Sequence, residues 1–278
     1  MVPSRLIAFP AALAAALTFF VAAAEPHQAQ QVVALEYPSS SGIRYRCNLS
    51  EYDFPPAPSA ASSAAAALVE TVSLVLASLS SSTYTHFSSM SYEHGIYRTD
   101  CSCLISYILN AAPASQPGSL ALYFEDVPKD DSPTVAPPMP RAGQYVGFFQ
   151  TLLRQRQAHS RWKAVASVLD IQRGDLIGWS IPSRGSPSDT GHIVVAMTSS
   201  QPSDVMQSSY PSVWLQVFDA SQSRHEDDTR CDSRSCHPGL GTGSILLFYD
   251  PVDGSPVAFK FHAQATFRDY PIAMARLL

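Results

Sequence analysis

The stretch YRTDCSCLISYIL (residues 97–109) places two of the chain's five cysteines at the start of an apolar run. The apolar residues recur at helical spacing, which predicts a helix that begins near Cys101. Asp100 or Thr99 is the expected N-cap. A cysteine in the first turn of a helix faces unpaired backbone amides and the positive end of the helix dipole, and both stabilise a thiolate. We therefore predict that Cys101 is a nucleophile. The alternative is that both cysteines are buried structural thiols.

The rest of the chain shows helical patterns first and strand patterns later. Helices are predicted over residues 60–79, 142–159 and, briefly, 162–170, and one or two short strands over residues 30–54. After a turn at residues 173–175, short apolar runs alternate with turn residues, as in GHIVVAMTSS and SVWLQVFDAS. This order predicts an α+β fold in which N-terminal helices pack on an antiparallel β-sheet.

A histidine and an acid lie on two consecutive predicted strands. His192 opens the strand GHIVVAM, and Asp219 lies near the far end of SVWLQVFDAS. If the two strands pair antiparallel, Asp219 should lie beside His192, where it can orient the imidazole and favour its protonated form. Together with Cys101, these residues match the catalytic set of papain-like enzymes. A surface histidine and a strand-end turn cap are the alternative interpretations.

The N-terminus has the pattern of a cleaved signal peptide over residues 1–24, with Arg5 followed by an apolar run that ends in three alanines. An uncleaved membrane anchor is the alternative. We expect an exported protein, periplasmic or secreted, that does not associate with membranes after cleavage. Residues 25–90 are interpreted as an extension packed on the core and residues 91–278 as the main domain. A Pro-, Ser- and Asp-rich insertion at 113–141 is predicted to be a long surface loop.

Export favours disulfide formation. Cys231 and Cys236 lie close together in RCDSRSCHPG and can close a small loop. Cys103 lies roughly 200° around the helix from Cys101, so we interpret it as a buried thiol rather than a disulfide partner of Cys101. Zinc binding in the polar loop is the less favoured alternative, because the loop lacks a Cys-x-x-Cys pair.

Charge and composition exclude some partners and leave one candidate substrate contact. The net charge is -5 and no Lys/Arg run occurs, so nucleic-acid binding is not expected. No metal or cofactor is predicted. Arg230 is a candidate to bind a substrate carboxylate through its forked guanidinium, with a solvated charged loop as the alternative.

Three motifs, YRTDCSCLISYIL, RGDLIGW and TGHIVVAM, resemble those of the NlpC-type cysteine peptidases, which are papain-like bacterial cell-wall hydrolases. The resemblance covers residues 92–221, in the family's order. It implies a nucleophile at Cys101, a base at His192 and an orienting third residue, and it matches Tyr92 to the family's active-site tyrosine. Cys103 stands at the motif's glycine, and the family's third residue is usually His, Asn or Gln, not Asp.

This resemblance implies a papain-like hydrolase that needs no cofactor and cleaves amide bonds, with peptidoglycan stem peptides as the expected substrate. The reaction would pass through a thioester on Cys101. The oxyanion is expected to be held by backbone N–H groups near Cys101, with Ser102 and the Tyr92 hydroxyl as candidates. The alternatives are a catalytically inactive papain-like binding module of the cell envelope and an amidase or acyltransferase that acts on another substrate.

Overall fold

The computed structural model describes residues 42–278, except for residues 60–62, 112–114, 116–118, 156–158 and 182–189. The predicted signal peptide, residues 1–24, lies outside the described residues, as do residues 30–41 of the region in which early strands were expected. Residues 42–54 form a 3₁₀ turn and isolated bridges instead of a strand. Among the described residues, no helix has the length and apolar character needed to cross a membrane.

The described residues form four α-helices and eleven β-strands. The helices are α1 (Ala64–Ser78), α2 (Cys101–Leu109), α3 (Ala121–Glu125) and α4 (Ala142–Arg154). The strands are β1 (Ser81–Tyr84), β2 (Ser89–Ser91), β3 (Ile96–Thr99), β4 (Trp162–Ala164), β5 (Leu176–Ser180), β6 (Gly191–Ala196), β7 (Gln201–Pro202), β8 (Ser212–Ser221), β9 (Gly239–Tyr249), β10 (Pro256–Lys260) and β11 (Ile272–Leu277).

Strands β4 to β11 form one sheet in the order β10-β9-β8-β6-β5-β11-β4, with β7 attached to β8. Every pairing in this sheet is antiparallel. The first three strands form a small separate sheet in the order β1-β3-β2, in which β1 runs parallel to β3. The chain is therefore a mixed α+β protein with a large antiparallel sheet, as the order of helical and strand patterns predicts.

Helix α2 is the central element of the core. It contacts α1, α3 and the strands β6 and β8, and all of its side chains are buried. Full burial of an aliphatic side chain such as Leu104 or Ile108 stabilises the fold by about 1.5–3 kcal/mol. Helix α4 covers β4, β5, β6 and β11 on the same face of the sheet. The first turn of α2, with Cys101, is therefore held in a fixed position.

Strand β6 is buried on both faces of the sheet, which explains why its sequence is apolar without alternation. Ile193 and Val195 join the core formed with the helices. Val194 and Ala196 point to the opposite face, where they pack with Trp179 in a second core. Because side chains alternate along a strand, each position of β6 belongs to one face only.

The described part of residues 113–141 is not the long surface loop that was predicted. It contains the short helix α3, and it buries several of its apolar side chains in the core with the helices: Leu120, Phe124, Val127, Val135 and Met139. These residues are separated by prolines and polar residues at irregular intervals, so they carry no periodic signal. Their burial depends on contacts that are distant in sequence.

The region after α4 also differs from expectation. The helix predicted over residues 162–170 is the strand β4 followed by a 3₁₀ turn at Val168–Asp170. Strand β4 pairs with β11 at the end of the chain, so its conformation is set by a distant partner. The turn predicted at residues 173–175 is confirmed, with Gly174 at a positive φ of 92°.

Two disulfides are present, and Cys101 is the cysteine that takes part in neither. Cys231 pairs with Cys236, as their spacing predicts. Cys103 is not a buried free thiol: it pairs with Cys47 across 56 residues of sequence. The helix turn that separates Cys103 from Cys101 points it to the segment before α1, and this pairing ties that segment to α2.

Candidate active site

Cys101 is the first residue of α2 and is 3% exposed. Asp100 is the N-cap, and its Oδ1 accepts hydrogen bonds from the Cys103 amide at 2.8 Å and the Ser102 hydroxyl at 3.0 Å. The first N–H groups of a helix have no partner within the helix, so the amides of Cys101 and Ser102 are placed to stabilise negative charge. The thiol thus has the environment that its sequence position predicts.

A small cavity of about 10 Å³ lies against Cys101. Its other lining residues come from four parts of the chain: Tyr84, His86, Asp100, Ser102, Arg141, Ala142, Thr190 and Gly191. This volume accepts about one water-sized group. Ala142 begins α4, so the positive ends of two helix dipoles meet at this cavity. The buried guanidinium of Arg141 also lines the cavity, and it lies 3.4 Å from Oδ2 of Asp130, which offsets part of its charge.

The histidine in this cavity is His86, which the sequence analysis did not select. Its Nδ1 lies 3.0 Å from Oδ2 of Asp100. A carboxylate only accepts hydrogen bonds, so Nδ1 carries the hydrogen and Nε2 is the basic nitrogen of the neutral ring. The His86 side chain is 34% exposed, and the ring of Tyr84 contacts it edge-on with centroids 5.6 Å apart. Asp100 therefore serves both as helix cap and as partner of a histidine.

Parallel pairing in the small sheet brings His86 to Cys101. Strand β1 is aligned with β3 so that Tyr84 lies opposite Thr99, and the amide of Thr85 donates to the carbonyl of Thr99. The segment that follows β1, in which His86 is the second residue, therefore lies beside the start of α2. The carbonyl of His86 also accepts a hydrogen bond from the amide of Arg46, which fixes its backbone. The sequences of the two short strands, SSTY and IYRT, do not predict this alignment, because parallel pairing is non-local.

The structure brings His192 and Asp219 together, as the antiparallel pairing of β6 and β8 predicts. Nε2 of His192 donates to Oδ2 of Asp219 at 2.6 Å. The imidazole packs against the Trp179 ring, with centroids 5.0 Å apart, and against Phe261 at 6.2 Å. His192 is buried, so this pair is shielded from solvent.

The structure does not place His192 in the cavity of Cys101, and this corrects the predicted triad. His192 lies opposite Trp179 in the strand pairing, and both side chains are on the face of the sheet opposite α2. Gly191, one residue earlier, lines the Cys101 cavity. The sequence spacing therefore brings the strand to the right place but directs the imidazole to the other face, because neighbouring side chains on a strand alternate.

The backbone at position 191 leaves no room for a side chain, so this residue has to be glycine. Its φ is +134°, and a Cβ there would lie 2.0 Å from the carbonyl oxygen of Trp179. Gly191 and Tyr84 line both the Cys101 cavity and a second, wider cavity of about 110 Å³ next to His192. These two residues form the boundary between the two cavities.

Asp219 belongs to a buried charge cluster that also contains His225, Asp228 and Arg230. His225 Nε2 lies 3.2 Å from Asp219 Oδ2, although the alignment is poor for a hydrogen bond. Arg230 donates to both oxygens of Asp228 at 2.8 Å and to Asp219 Oδ1 at 3.3 Å. Its remaining donors contact backbone carbonyls, and its Nη2 lies next to Nδ1 of His225. The two carboxylates thus face one guanidinium and one imidazole.

These surroundings shift the pKa values of the cluster. Burial alone would lower the pKa of His225, but the charge of Asp219 and the close contacts with Asp219 and Asp228 outweigh it and raise the pKa to about 9. Burial would likewise raise the pKa of Asp219, but the charge of His225, the bond from His192 and the close contact with His225 hold it well below the usual range. At neutral pH, His225 is therefore an imidazolium and Asp219 a carboxylate.

Arg230, predicted as a substrate contact, is instead an internal residue. Its side chain is 5% exposed, and the partners of the charge cluster occupy its donors. Space for the cluster comes from glycines on β9: a Cβ on Gly241 would lie 2.6 Å from Cγ of Arg230, and one on Gly243 would lie 2.6 Å from Cβ of His225. The GLGTG pattern of β9 is the sequence signal that could have indicated this close approach.

Of the two residues predicted to contact the oxyanion, one lies at the Cys101 cavity and the other does not. Ser102 lines the Cys101 cavity, and its hydroxyl also lies 3.4 Å from the hydroxyl of Tyr45. Tyr92 lies in the turn between β2 and β3 and lines neither cavity. Tyr84 is the tyrosine that lines both. The tyrosine next to Cys101 is therefore Tyr84, at the end of β1, and not Tyr92, which follows β2.

The loop in which zinc was considered holds the Cys231–Cys236 disulfide, so these sulfurs are not available as ligands. In the part of the chain that the structure describes, no three His, Cys, Asp or Glu residues are arranged to hold a metal ion.

No family model, no curated protein and no solved structure matches this chain. The resemblance to NlpC-type peptidases therefore stays a prediction.

Proposed function

We propose that the protein is an exported, papain-like cysteine hydrolase that cleaves amide bonds through a thioester on Cys101, with peptidoglycan stem peptides as the substrate. The observation that carries the proposal is the cavity at the start of α2, where the thiol of Cys101, a histidine–aspartate pair and a buried arginine meet. The base in this proposal is His86, oriented by Asp100, and not His192.

The first half of the reaction forms the acyl-enzyme. Nε2 of His86 takes the proton of the Cys101 thiol, and the thiolate adds to the amide carbonyl. The amides at the first turn of α2 stabilise the oxyanion, at about 3 kcal/mol per donor. The His86 imidazolium then gives its proton to the leaving amine, the C–N bond breaks, and a thioester remains.

The second half releases the product. His86 removes a proton from water, and the hydroxide adds to the thioester carbonyl. The C–S bond then breaks and the His86 imidazolium returns its proton to the sulfur, which gives a carboxylic acid and the Cys101 thiol. The partial exposure of His86 lets it exchange protons with solvent between the two halves. Asp100 keeps the ring in the required tautomer throughout.

Export is supported by the two disulfides, which persist in oxidising compartments. The choice of peptidoglycan rests on the motif resemblance alone.

Labelling with iodoacetamide tests the thiol, and digestion of purified peptidoglycan tests the substrate. We expect Cys101 to be alkylated much faster than a thiol in a denatured sample of the same protein, as followed by peptide mass spectrometry. Wild type should release free amines and carboxylates from peptidoglycan, and Cys101→Ala should release none.

Slow alkylation of Cys101 in the folded protein would favour the inactive binding module. Fast alkylation without any peptidoglycan product would favour the amidase or acyltransferase on another substrate, and would overturn the proposed substrate while leaving the chemistry in place.

A further inference from the structure

A second cavity, of about 110 Å³, opens next to the Cys101 cavity. The two share Tyr84 and Gly191. The Cys101 cavity accepts only about one water-sized group, whereas the second can hold a side chain or a terminal group. A substrate whose carbonyl reaches Cys101 therefore has room for a neighbouring group in this wider cavity.

The wider cavity has polar and cationic walls. Ser221, Gln222 and Ser223 line it from the end of β8, and Arg268 lines it from the segment before β11. Hydroxyl, amide and guanidinium groups all donate hydrogen bonds, so they suit an anionic ligand. Trp179 supplies an apolar wall behind them.

Arg268 differs from four other arginines of the structure in its charged neighbours. Arg141, Arg161, Arg230 and Arg276 each pair with an aspartate. No carboxylate among the described residues pairs with the guanidinium of Arg268.

The position of Arg268 is nevertheless well defined. Its guanidinium carbon lies 5.3 Å from the centroid of the Phe261 ring, and its amide and carbonyl both bond to Phe259. The ring supports the guanidinium without neutralising its charge, and the backbone bonds fix where the side chain begins. The forked donors of Arg268 therefore remain available to a planar oxyanion.

We propose that this cavity binds a carboxylate of the substrate, with Arg268 as the specificity-determining residue. The inference rests on the proposed thiol hydrolase and defines its substrate class: peptides with a free carboxylate close to the cleaved amide bond. The contact holds the substrate and takes no part in bond cleavage.

Tethered alkylating agents test this site without knowledge of the natural substrate. N-iodoacetyl glycine, β-alanine and γ-aminobutyrate place a carboxylate at increasing distances from the reacting carbon, and their primary amides are neutral controls. In wild type, we expect Cys101 to react roughly tenfold faster with the acid than with the amide at the best tether length. Arg268→Gln should bring this ratio close to one, and Arg268→Lys should restore part of it.

Arg224→Gln is the matched control, because it removes the same charge from an exposed site outside the cavity. Its acid-to-amide ratio should equal that of wild type. An equal ratio in wild type and Arg268→Gln, or no preference for the acid at any length, overturns the proposal. A stronger preference for 2-(iodoacetamido)ethyl phosphate would replace the carboxylate with a phosphate.

A direct measurement separates this inference from the proposed function. The Nε–H resonance of Arg268 should shift when N-acetylglycine is added, whether or not Cys101 is reactive, and the absence of a shift overturns the carboxylate site. Slow alkylation of Cys101 by plain iodoacetamide would instead count against the hydrolase.

Discussion

Two histidine–aspartate pairs lie on opposite sides of Gly191, with the same chemical groups in different surroundings. His86 is partly exposed, and Asp100 also caps α2. His192 is buried, and its aspartate belongs to a cluster of charges. The shorter contact, 2.6 Å against 3.0 Å, is in the buried pair. The comparison teaches that the geometry of a pair does not determine its place relative to Cys101: the more exposed pair, with the longer contact, is the one that lines the Cys101 cavity.

The largest expected effect separates the two histidines. We expect His86→Ala to slow both alkylation of Cys101 and turnover by about 100-fold or more, because the proposed general base is lost. His192→Ala should have a much smaller effect on the rate constant for alkylation by iodoacetamide. A larger effect of His192→Ala than of His86→Ala would show that His192, and not His86, acts on Cys101.

The second prediction compares the two aspartates by stability. Asp219→Asn removes a buried charge that faces His225 and Arg230, and we expect the free energy of unfolding to fall by about 3–5 kcal/mol. Asp100→Asn keeps a good N-cap and should cost less than about 1 kcal/mol. Urea denaturation of both variants measures this difference. Equal losses would mean that the cluster around Asp219 does not stabilise the fold more than a helix cap.

The third prediction concerns how the Cys101 side is held. The Cys47–Cys103 disulfide closes a long loop, so the double variant Cys47→Ala/Cys103→Ala should lose about 2–4 kcal/mol in unfolding free energy. Cys231→Ala/Cys236→Ala removes a bridge over only 5 residues and should lose less. If the second variant is the less stable one, loop length is not what sets the contribution of these bridges.

The smallest effect is a pH dependence that belongs to the His192 side alone. The pKa of His225 rises from 6.5 to about 9 on folding, so its stabilising contribution is fully present below pH 6.5 and is lost as pH rises through 9. The loss should be on the order of 2 kcal/mol. In His225→Asn, the unfolding free energy should change less than in wild type between pH 6.5 and 9. Parallel curves for the two proteins would exclude a charged His225.

Local patterns predict a substantial part of this site. The N-cap at Asp100, the helix that starts at Cys101 and the pairing of β6 with β8 follow from periodicity and from the order of elements along the chain. The Cys231–Cys236 bridge follows from spacing. The proximity of Asp219 to His192 needed only the assumption of antiparallel strands.

The sequence by itself thus determined three of the elements that carry the site, α2, β6 and β8, because helical and strand periodicity are local properties. Tertiary structure alone decided which side chains share a cavity. His86 reaches Cys101 through parallel pairing of two short strands, and Cys47 reaches Cys103 across 56 residues. A shift of one position along β6, from Gly191 to His192, moves a side chain from one face of the sheet to the other. Such contacts depend on strand register and on long-range packing, which no local pattern encodes.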